Sequence, residues 1–215
     1  MLDHDTILSV ANHCYPRWER LYEEDVLFGL LSPAIRDRRW MKLGELLGIA
    51  GWKSRFAVRY AEGNDPEVVG DLTRRAFEQA DAGEAAPAVR SLVRDGNQGL
   101  HGVQTPMASA ILTVYDKKAY TVMDRRAWAS LAGLDEVSGK APYTPEGYAD
   151  YLRVCTGLSR AHGVTLRELD RCLWALKGQT VEQMRGERCI RDGKPGCGRG
   201  KRFAEHCPCA SSRER

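Results

Sequence analysis

The segment LHGVQTPMASAIL occupies residues 100–112 and carries the most specific pattern in the chain. An apolar-periodic stretch near 85–94, typical of a helix, precedes it. Gly102 supplies a permissive backbone position for a turn. Thr105 and Pro106 are typical of the first turn of a helix. The pattern therefore predicts two helices joined by a tight hairpin.

This turn has the properties of a phosphate-binding element. The amides at the start of a helix have no intrahelical acceptor and point outward, and the helix dipole favours an anion there. We therefore expect the turn to bind a phosphate oxygen; its residues are Leu100, His101, Gly102, Val103, Gln104 and Thr105.

Helix signals recur along the rest of the chain, and the alternating patterns of strands are absent. Residues 64–67 and 144–146 each combine a capping residue, Pro and Glu, while Thr165 and Glu168 have the spacing of a capping box. A loop is expected over 80–87. The predicted class is all-α, with further helices near 6–14, 24–32, 35–49, 54–61, 85–94, 106–115 and 125–132.

Composition excludes several classes of protein. The chain has 215 residues and a mean hydropathy of −0.45. No apolar run approaches the roughly 18–20 residues that a membrane span needs. The N-terminus, Met1–Asp5, is acidic and unlike a secretory signal. We expect a cytoplasmic protein that is neither embedded in a membrane, exported nor disordered.

The net charge of +3 is unevenly distributed. Residues 185–215 contain nine Lys or Arg and four Asp or Glu, a net of +5, whereas the rest of the chain carries −2. The predicted organisation is a helical domain over 1–185 and a basic, cysteine-rich tail over 186–215.

A carboxylate follows the second helix of the hairpin. Residues 120–128 read YTVMDRRAW, and Asp124 is expected at the N-terminus of the next helix, where the dipole keeps it ionised. Asp is also a common N-cap with no further role. Arg125 and Arg126, directly behind it, form either a solvated face or DNA contacts.

A second basic position lies near the start of the helix predicted over 54–61. Lys53 or Arg55 is expected to contact phosphate. Trp52, beside it, either stacks on DNA or packs in the core.

Residues 87–133 resemble the helix-hairpin-helix DNA glycosylase superfamily. The hairpin of that family reads Leu-Pro-Gly-Val-Gly, then Thr-Ala and an aliphatic helix, and its catalytic aspartate follows two apolar residues. Gly102 and Asp124 are 22 residues apart, the spacing of the family, and Val122 and Met123 supply the apolar context. The resemblance implies a two-lobed helical fold with a DNA cleft between the lobes, DNA contacts from the six residues of the turn over 100–105, and Asp124 as the catalytic residue. It also implies that the protein associates with the nucleoid.

Three positions depart from the family pattern. His101 replaces the hairpin proline, and Gln104 replaces the second glycine. Pro106 stands where bifunctional members carry the lysine that acts as an amine nucleophile. Without that amine no Schiff base forms, and no lyase step follows by the usual route.

The resemblance thus implies a monofunctional DNA glycosylase, acting as a monomer on double-stranded DNA with an extruded base. Its chemistry needs no cofactor. The excised base stays open, as does a role in repair or in defence against modified phage DNA. The alternative is a non-catalytic helix-hairpin-helix DNA-binding protein, which Gln104 and Pro106 favour. A third interpretation makes the tail a protein-interaction element.

The cysteines of the helical domain and those of the tail are expected to have different roles. Cys14, Cys155 and Cys172 lie singly in apolar-periodic segments and are expected to pack in the core. The remaining four are candidate metal ligands: Cys189, Cys197, Cys207 and Cys209. Many members of the family carry a four-cysteine iron–sulfur loop near the C-terminus, but its spacing differs from this one. An iron–sulfur cluster, zinc (with His206 as a further ligand) and a metal-free tail all stay open.

Overall fold

The structure, a computed structural model, describes residues 2–15, 24–96 and 98–177. Regular structure within these ranges is helical, and the one β-type pairing there is an isolated bridge between Asp95 and Gln98. The all-α class predicted from the sequence is confirmed.

The helices follow one another through short connections. In the first part of the chain they are α1 (His4–Ser9), a π-helical turn (Val10–Cys14), a second π-helical segment (Val26–Leu31), α2 (Ser32–Arg38), α3 (Leu43–Lys53) and α4 (Arg55–Ala61). They continue as α5 (Pro66–Asp81), α6 (Ala85–Leu92), α7 (Thr105–Tyr115), α8 (Arg125–Gly133), α9 (Pro145–His162) and α10 (Leu166–Leu176).

The described chain forms two compact units, and each draws on separate stretches of sequence. One unit comprises 24–96, 98–123 and 142–153. Its centre is α7, in which every residue from Met107 to Tyr115 is buried. A helix that is apolar on all sides must be enclosed by others, and α7 packs against α2, α3, α5 and α6.

The other unit comprises 2–15, 124–141 and 154–177. Its centre is α10, which packs against α1, the first π-helical turn and α8. The Ser130 hydroxyl of α8 donates to the Leu173 carbonyl of α10 at 2.6 Å. This bond satisfies a buried hydroxyl at the contact between the two helices.

Two of the three predicted core cysteines are in the core. Cys155 and Cys172 are fully buried, and burial raises the pKa of the Cys172 thiol to about 12. Such a thiol stays protonated and unreactive at neutral pH. The side chain of Cys14 lies outside the described part of the structure.

The prediction of a single helix over 35–49 is wrong. The helix breaks at Arg39, which adopts a left-handed conformation with φ of +63°, and α3 begins only at Leu43. Between them the buried Met41 N–H donates to the Thr73 hydroxyl of α5 at 2.9 Å. A tertiary hydrogen bond thus replaces the helical one at this point.

The loop predicted over 80–87 is also too long. Helix α5 continues to Asp81 and α6 begins at Ala85, so only residues 82–84 connect them. Gly83, with φ of +79°, allows the reversal in so few residues.

The predicted boundary at 185/186 and the cysteine-rich tail lie outside the described residues. Within the residues that are described, no helix is both long enough and apolar enough to cross a membrane.

The capping box of α10 gives a test of the second unit. Thr165 accepts from the Glu168 N–H at 3.2 Å, and the Glu168 carboxylate accepts from the Thr165 N–H at 2.7 Å. We expect Thr165→Ala to lower the free energy of unfolding by about 1 kcal/mol because the cap is lost. Thr165→Ser keeps the hydroxyl and is the matched control in urea denaturation. Equal losses in the two variants would contradict the role of the cap.

Candidate functional site

The connection between the two hairpin helices is longer than the sequence suggested. Helix α6 ends at Leu92 and α7 begins at Thr105, so residues 93–104 join them and the predicted tight hairpin is wrong. The chain first makes a separate turn, closed by the pair Asp95 and Gln98. It then runs back along itself before entering α7.

Glycine makes this path feasible. Gly99 has a φ of +75°, and a Cβ there would stand 2.0 Å from the Val93 carbonyl oxygen. The Leu100 N–H then donates to the Leu92 carbonyl at 3.0 Å, which ties the returning chain to the end of α6. Gly96, Gly99 and Gly102 all have positive φ and thus allow two turns in close succession.

The second turn contains the motif predicted to contact DNA. The Val103 N–H donates to the Leu100 carbonyl at 3.2 Å and closes the turn over His101 and Gly102. The side chains of Leu100 and Val103 are fully buried. These two residues anchor the turn, and because the N–H groups of both already donate to backbone carbonyls, neither offers a donor to a phosphate.

Gly102 is required for two reasons. Its φ is +76°, a left-handed value that disfavours other residues. A Cβ there would also lie 2.9 Å from the Tyr60 Cβ and 3.0 Å from the Ala61 nitrogen. The turn therefore sits directly on α4, at a distance that only glycine permits.

Asn64 fixes the turn from the other side. Its Oδ1 accepts from the His101 N–H at 2.7 Å, and its Nδ2 donates to the His101 carbonyl at 3.0 Å and to the Ala61 carbonyl at 2.8 Å. The His101 amide is therefore already bound. Sequence reasoning missed this role because an Asn just before the N-cap Asp65 carries no signal for a partner 37 residues away.

Two amides of the turn are available for a ligand. Within the described residues, the N–H groups of Gly102 and Gln104 donate to no protein acceptor, and the Gln104 side chain is exposed. Thr105 is buried, and its hydroxyl donates to the Tyr143 carbonyl at 2.9 Å. Of the six residues predicted to contact DNA here, Gly102 and Gln104 are thus the two whose backbone N–H groups can donate to a ligand.

The segment that leads to Asp124 has no regular secondary structure and is buried, and hydroxyl groups hold it. The Tyr148 hydroxyl donates to the Thr121 carbonyl at 3.1 Å, and the Tyr151 hydroxyl donates to the Val122 carbonyl at 3.0 Å. Both tyrosines belong to α9 and are fully buried. Because carbonyls outside a helix need donors when buried, these tyrosines have a structural role that their helical spacing alone did not reveal.

The next backbone group is held by α7. The Ser109 Oγ accepts from the Met123 N–H at 2.9 Å and donates to the Pro106 carbonyl at 2.8 Å. Ser109 and Met123 are fully buried. The backbone immediately before Asp124 is therefore fixed by side chains from two helices.

Asp124 is the N-cap of α8, as predicted. Its Oδ1 accepts from the Arg126 and Ala127 N–H groups at 2.9 Å each, and its backbone is extended, with φ of −143°. The carboxylate is partly exposed. The two amide bonds orient a negative charge at the positive end of the helix dipole.

The two arginines behind Asp124 have different surroundings. Arg125 is exposed. The Arg126 guanidinium lies 4.3 Å from the centre of the Trp174 ring of α10, and its Nη1 is buried with no acceptor among the described residues. Arg126 thus packs on its own unit, and Arg125 is the better placed of the two for a solvent-side contact.

The second basic position lies at the end of α3. Lys53 is half-buried and is the last residue of that helix. Trp52 is buried and makes an edge-to-face contact with Phe28, with ring centroids 5.9 Å apart. Trp52 therefore packs in the core, the second of its two interpretations.

The candidate metal ligands Cys189, Cys197, Cys207 and Cys209 lie outside the described residues. Over the ranges that the structure describes, no group of three or more His, Cys, Asp or Glu is arranged to hold a metal ion. The hairpin turn belongs to one unit, and Asp124 is the first residue of a segment of the other.

Comparison of the chain with protein-family models, with curated proteins and with solved structures finds no match. The resemblance over residues 87–133 therefore rests on the motif and its spacing.

Gly102 and Gly96 provide a matched test of the close approach to α4. Both have positive φ, but a Cβ at Gly96 would meet nothing within 4 Å. We expect Gly96→Ala to cost about 1 kcal/mol of unfolding free energy from backbone conformation alone. Gly102→Ala adds a clash with α4, which costs about 1–3 kcal/mol more. Similar losses in urea denaturation would show that the turn does not press on α4.

Ser109→Ala tests the support of the segment before Asp124. Removing the hydroxyl leaves the buried Met123 N–H without an acceptor and is expected to cost about 1–3 kcal/mol. Hydrogen exchange at the Met123 amide should accelerate. Ser130→Ala removes another buried hydroxyl and is the control. Once the change in global stability is taken into account, hydrogen exchange at the Met123 amide should be unchanged in this variant. Unchanged Met123 exchange in Ser109→Ala would contradict this role.

Proposed function

We propose that the protein is a monofunctional DNA glycosylase that hydrolyses the N-glycosidic bond of a damaged or modified base in duplex DNA. The observation that carries the proposal is the pairing of a glycine turn at Gly102 with a helix-capping carboxylate at Asp124, 22 residues later. The helix-hairpin-helix glycosylase fold is part of the proposal. A monomeric state and a cytoplasmic location are also part of the proposal.

The proposed chemistry rests on charge stabilisation by Asp124. As the base leaves, positive charge develops at the sugar C1′. A fixed carboxylate beside that carbon stabilises the charge and orients or deprotonates the attacking water. The target nucleotide leaves the stack so that C1′ comes within reach of the carboxylate.

The cap and the catalytic role of Asp124 are compatible. Two amide bonds to Oδ1 hold the carboxylate in one orientation at the start of α8. Catalysis by a preorganised charge requires such rigidity, because the group then needs no reorganisation as the transition state forms.

The hairpin turn supplies the contact with the DNA backbone. The amides of Gly102 and Gln104 have no protein acceptor among the described residues and suit a phosphate oxygen. Arg125 is exposed and adds a cation, and Lys53 is the further candidate. Contacts of this kind fix register on the duplex and carry no base specificity.

The proposed reaction stops at an abasic site. Pro106 has no amine, so no covalent Schiff base forms at that position. Hydrolysis by a carboxylate needs no metal. An iron–sulfur cluster or zinc in the tail would therefore serve structure or DNA anchoring, and a metal-free basic tail would serve anchoring alone.

A non-catalytic helix-hairpin-helix protein is the second candidate. Gln104 and Pro106, in place of the family's glycine and lysine, favour it. In that case Asp124 would act solely as the N-cap of α8, and the turn would bind backbone phosphate without base release.

Asp124→Asn separates these two functions. Asn caps a helix about as well as Asp, so α8 and the fold should persist. Loss of the charged general base should lower base release from duplexes with candidate lesions by about 100- to 10,000-fold. DNA affinity should stay within a few-fold of the wild type. Gel-based release assays with alkaline cleavage of the abasic product provide the measurement.

Asp65→Asn is the matched control. Asp65 caps α5 through the Glu67 and Val68 N–H groups at 2.8 and 3.3 Å, so this exchange makes the same chemical change at another cap. Its base release should equal that of the wild type. Full release by Asp124→Asn, or a DNA adduct trapped by borohydride, would refute the proposed mechanism. DNA binding without release by the wild type would favour the second candidate.

A further inference from the structure

Helix α4 exposes two large aromatic side chains to solvent. Phe56 is 77% exposed and Tyr60 is 54% exposed. They are four positions apart and so lie on the same face of the helix. Phe56 is the most exposed large hydrophobic residue in the described chain. An apolar ring left in water at this level commonly marks a contact with another molecule.

Basic side chains lie beside these rings. Arg55 and Arg59 are both exposed and also four positions apart. The Arg59 guanidinium lies 4.7 Å from the centre of the Tyr60 ring, and its Nη2 donates to the Tyr60 hydroxyl at 2.7 Å. Neither arginine has a carboxylate partner within the described residues. We call Arg55, Phe56, Arg59 and Tyr60 the α4 surface.

The local charge is positive although the domain as a whole is not. Residues 52–61 contain three basic residues and no acidic one. Positive side chains alternating with exposed rings are typical of surfaces that bind nucleic acid, because the cations contact phosphates and the rings stack on bases. A second copy of this chain is a poor occupant, since two such surfaces would oppose four guanidinium groups.

The α4 surface is rigidly joined to the hairpin turn. Gly102 packs against the backbone of α4 and the Tyr60 Cβ, and Asn64 ties His101 to the Ala61 carbonyl. The amides available for phosphate and the exposed rings therefore belong to one fixed body. A DNA strand held by the turn has the α4 surface beside it.

We propose that the α4 surface binds DNA at a disrupted base pair, where Phe56 stacks on an unstacked base and Arg55 and Arg59 contact the flanking phosphates. This inference rests on the proposed function in one respect, since it takes duplex DNA to be the ligand. It adds that the protein binds a duplex with one unpaired base more tightly than a fully paired duplex.

The test compares two defined duplexes that differ only in one unpaired adenine bulge. Fluorescence anisotropy of the full-length protein should show tighter binding to the bulged duplex. Phe56→Ala should weaken that binding by about 5- to 100-fold, the loss of one base–aromatic stack, and change binding to the paired duplex by less than about 2-fold. Phe56→Trp should restore the preference.

The arginines should act differently from the ring. Arg55→Ala and Arg59→Ala should each weaken binding to both duplexes and reduce the slope of log affinity against log salt by about 1. Val68→Ala is the control, because Val68 is 44% exposed on α5 among acidic neighbours, Glu67 and Asp71. It should bind both duplexes as the wild type does. All five variants change exposed side chains, and thermal melting by circular dichroism should match the wild type.

The outcomes for this surface and for catalysis are separable. Equal binding of the two duplexes by the wild type, or an unchanged preference in Phe56→Ala, overturns the α4 proposal. Base release by the wild type alongside either result leaves the glycosylase proposal intact. A Phe56-dependent preference without base release supports the α4 surface and refutes the catalytic role.

Discussion

Buried backbone outside helices must find hydrogen-bond partners, and the candidate site depends on how this chain meets that requirement. Residues 120–123 are buried and belong to no helix or strand. Their carbonyl and amide groups pair with the hydroxyls of Tyr148, Tyr151 and Ser109. Without these partners, each buried group would cost about 1–3 kcal/mol. The backbone of this segment, up to Met123, is therefore held by side chains that belong to helices α7 and α9.

Features that depend on residues three or four positions apart were predictable from the sequence. The all-α class, the capping box at Thr165 and the caps at Asp65 and Asp124 are all present. A cap is a contact between a side chain and the amides of the next turn, so its signal lies entirely within a short stretch. The buried Cys155 and Cys172 follow from helical periodicity in the same way.

Features that depend on distant partners were not predictable. The break at Arg39 accompanies a hydrogen bond from Met41 to Thr73, and the turn at His101 is held by Asn64. Trp52 packs in the core, and Arg126 packs on Trp174. The length of the hairpin connection was misjudged because two turns, one closed by Asp95 and Gln98 and one closed by Leu100 and Val103, follow in immediate succession. The helix and turn propensities of neighbouring residues do not show which contacts with distant residues form in the folded protein.

The burial of α7 on all sides has a consequence for how the first unit opens. The turn enters the helix at Thr105, and the segment before Asp124 is tied to it at Ser109, one turn further on. A helix enclosed by its neighbours belongs to the cooperative part of a unit, which exchanges its amides through concerted opening. The turn before Thr105 and the segment before Asp124 are both joined to α7, so we expect them to open when this helix opens. Their geometry also depends on α4, against which Gly102 packs, and on α9, which supplies Tyr148 and Tyr151, so it persists only while those helices stay in place.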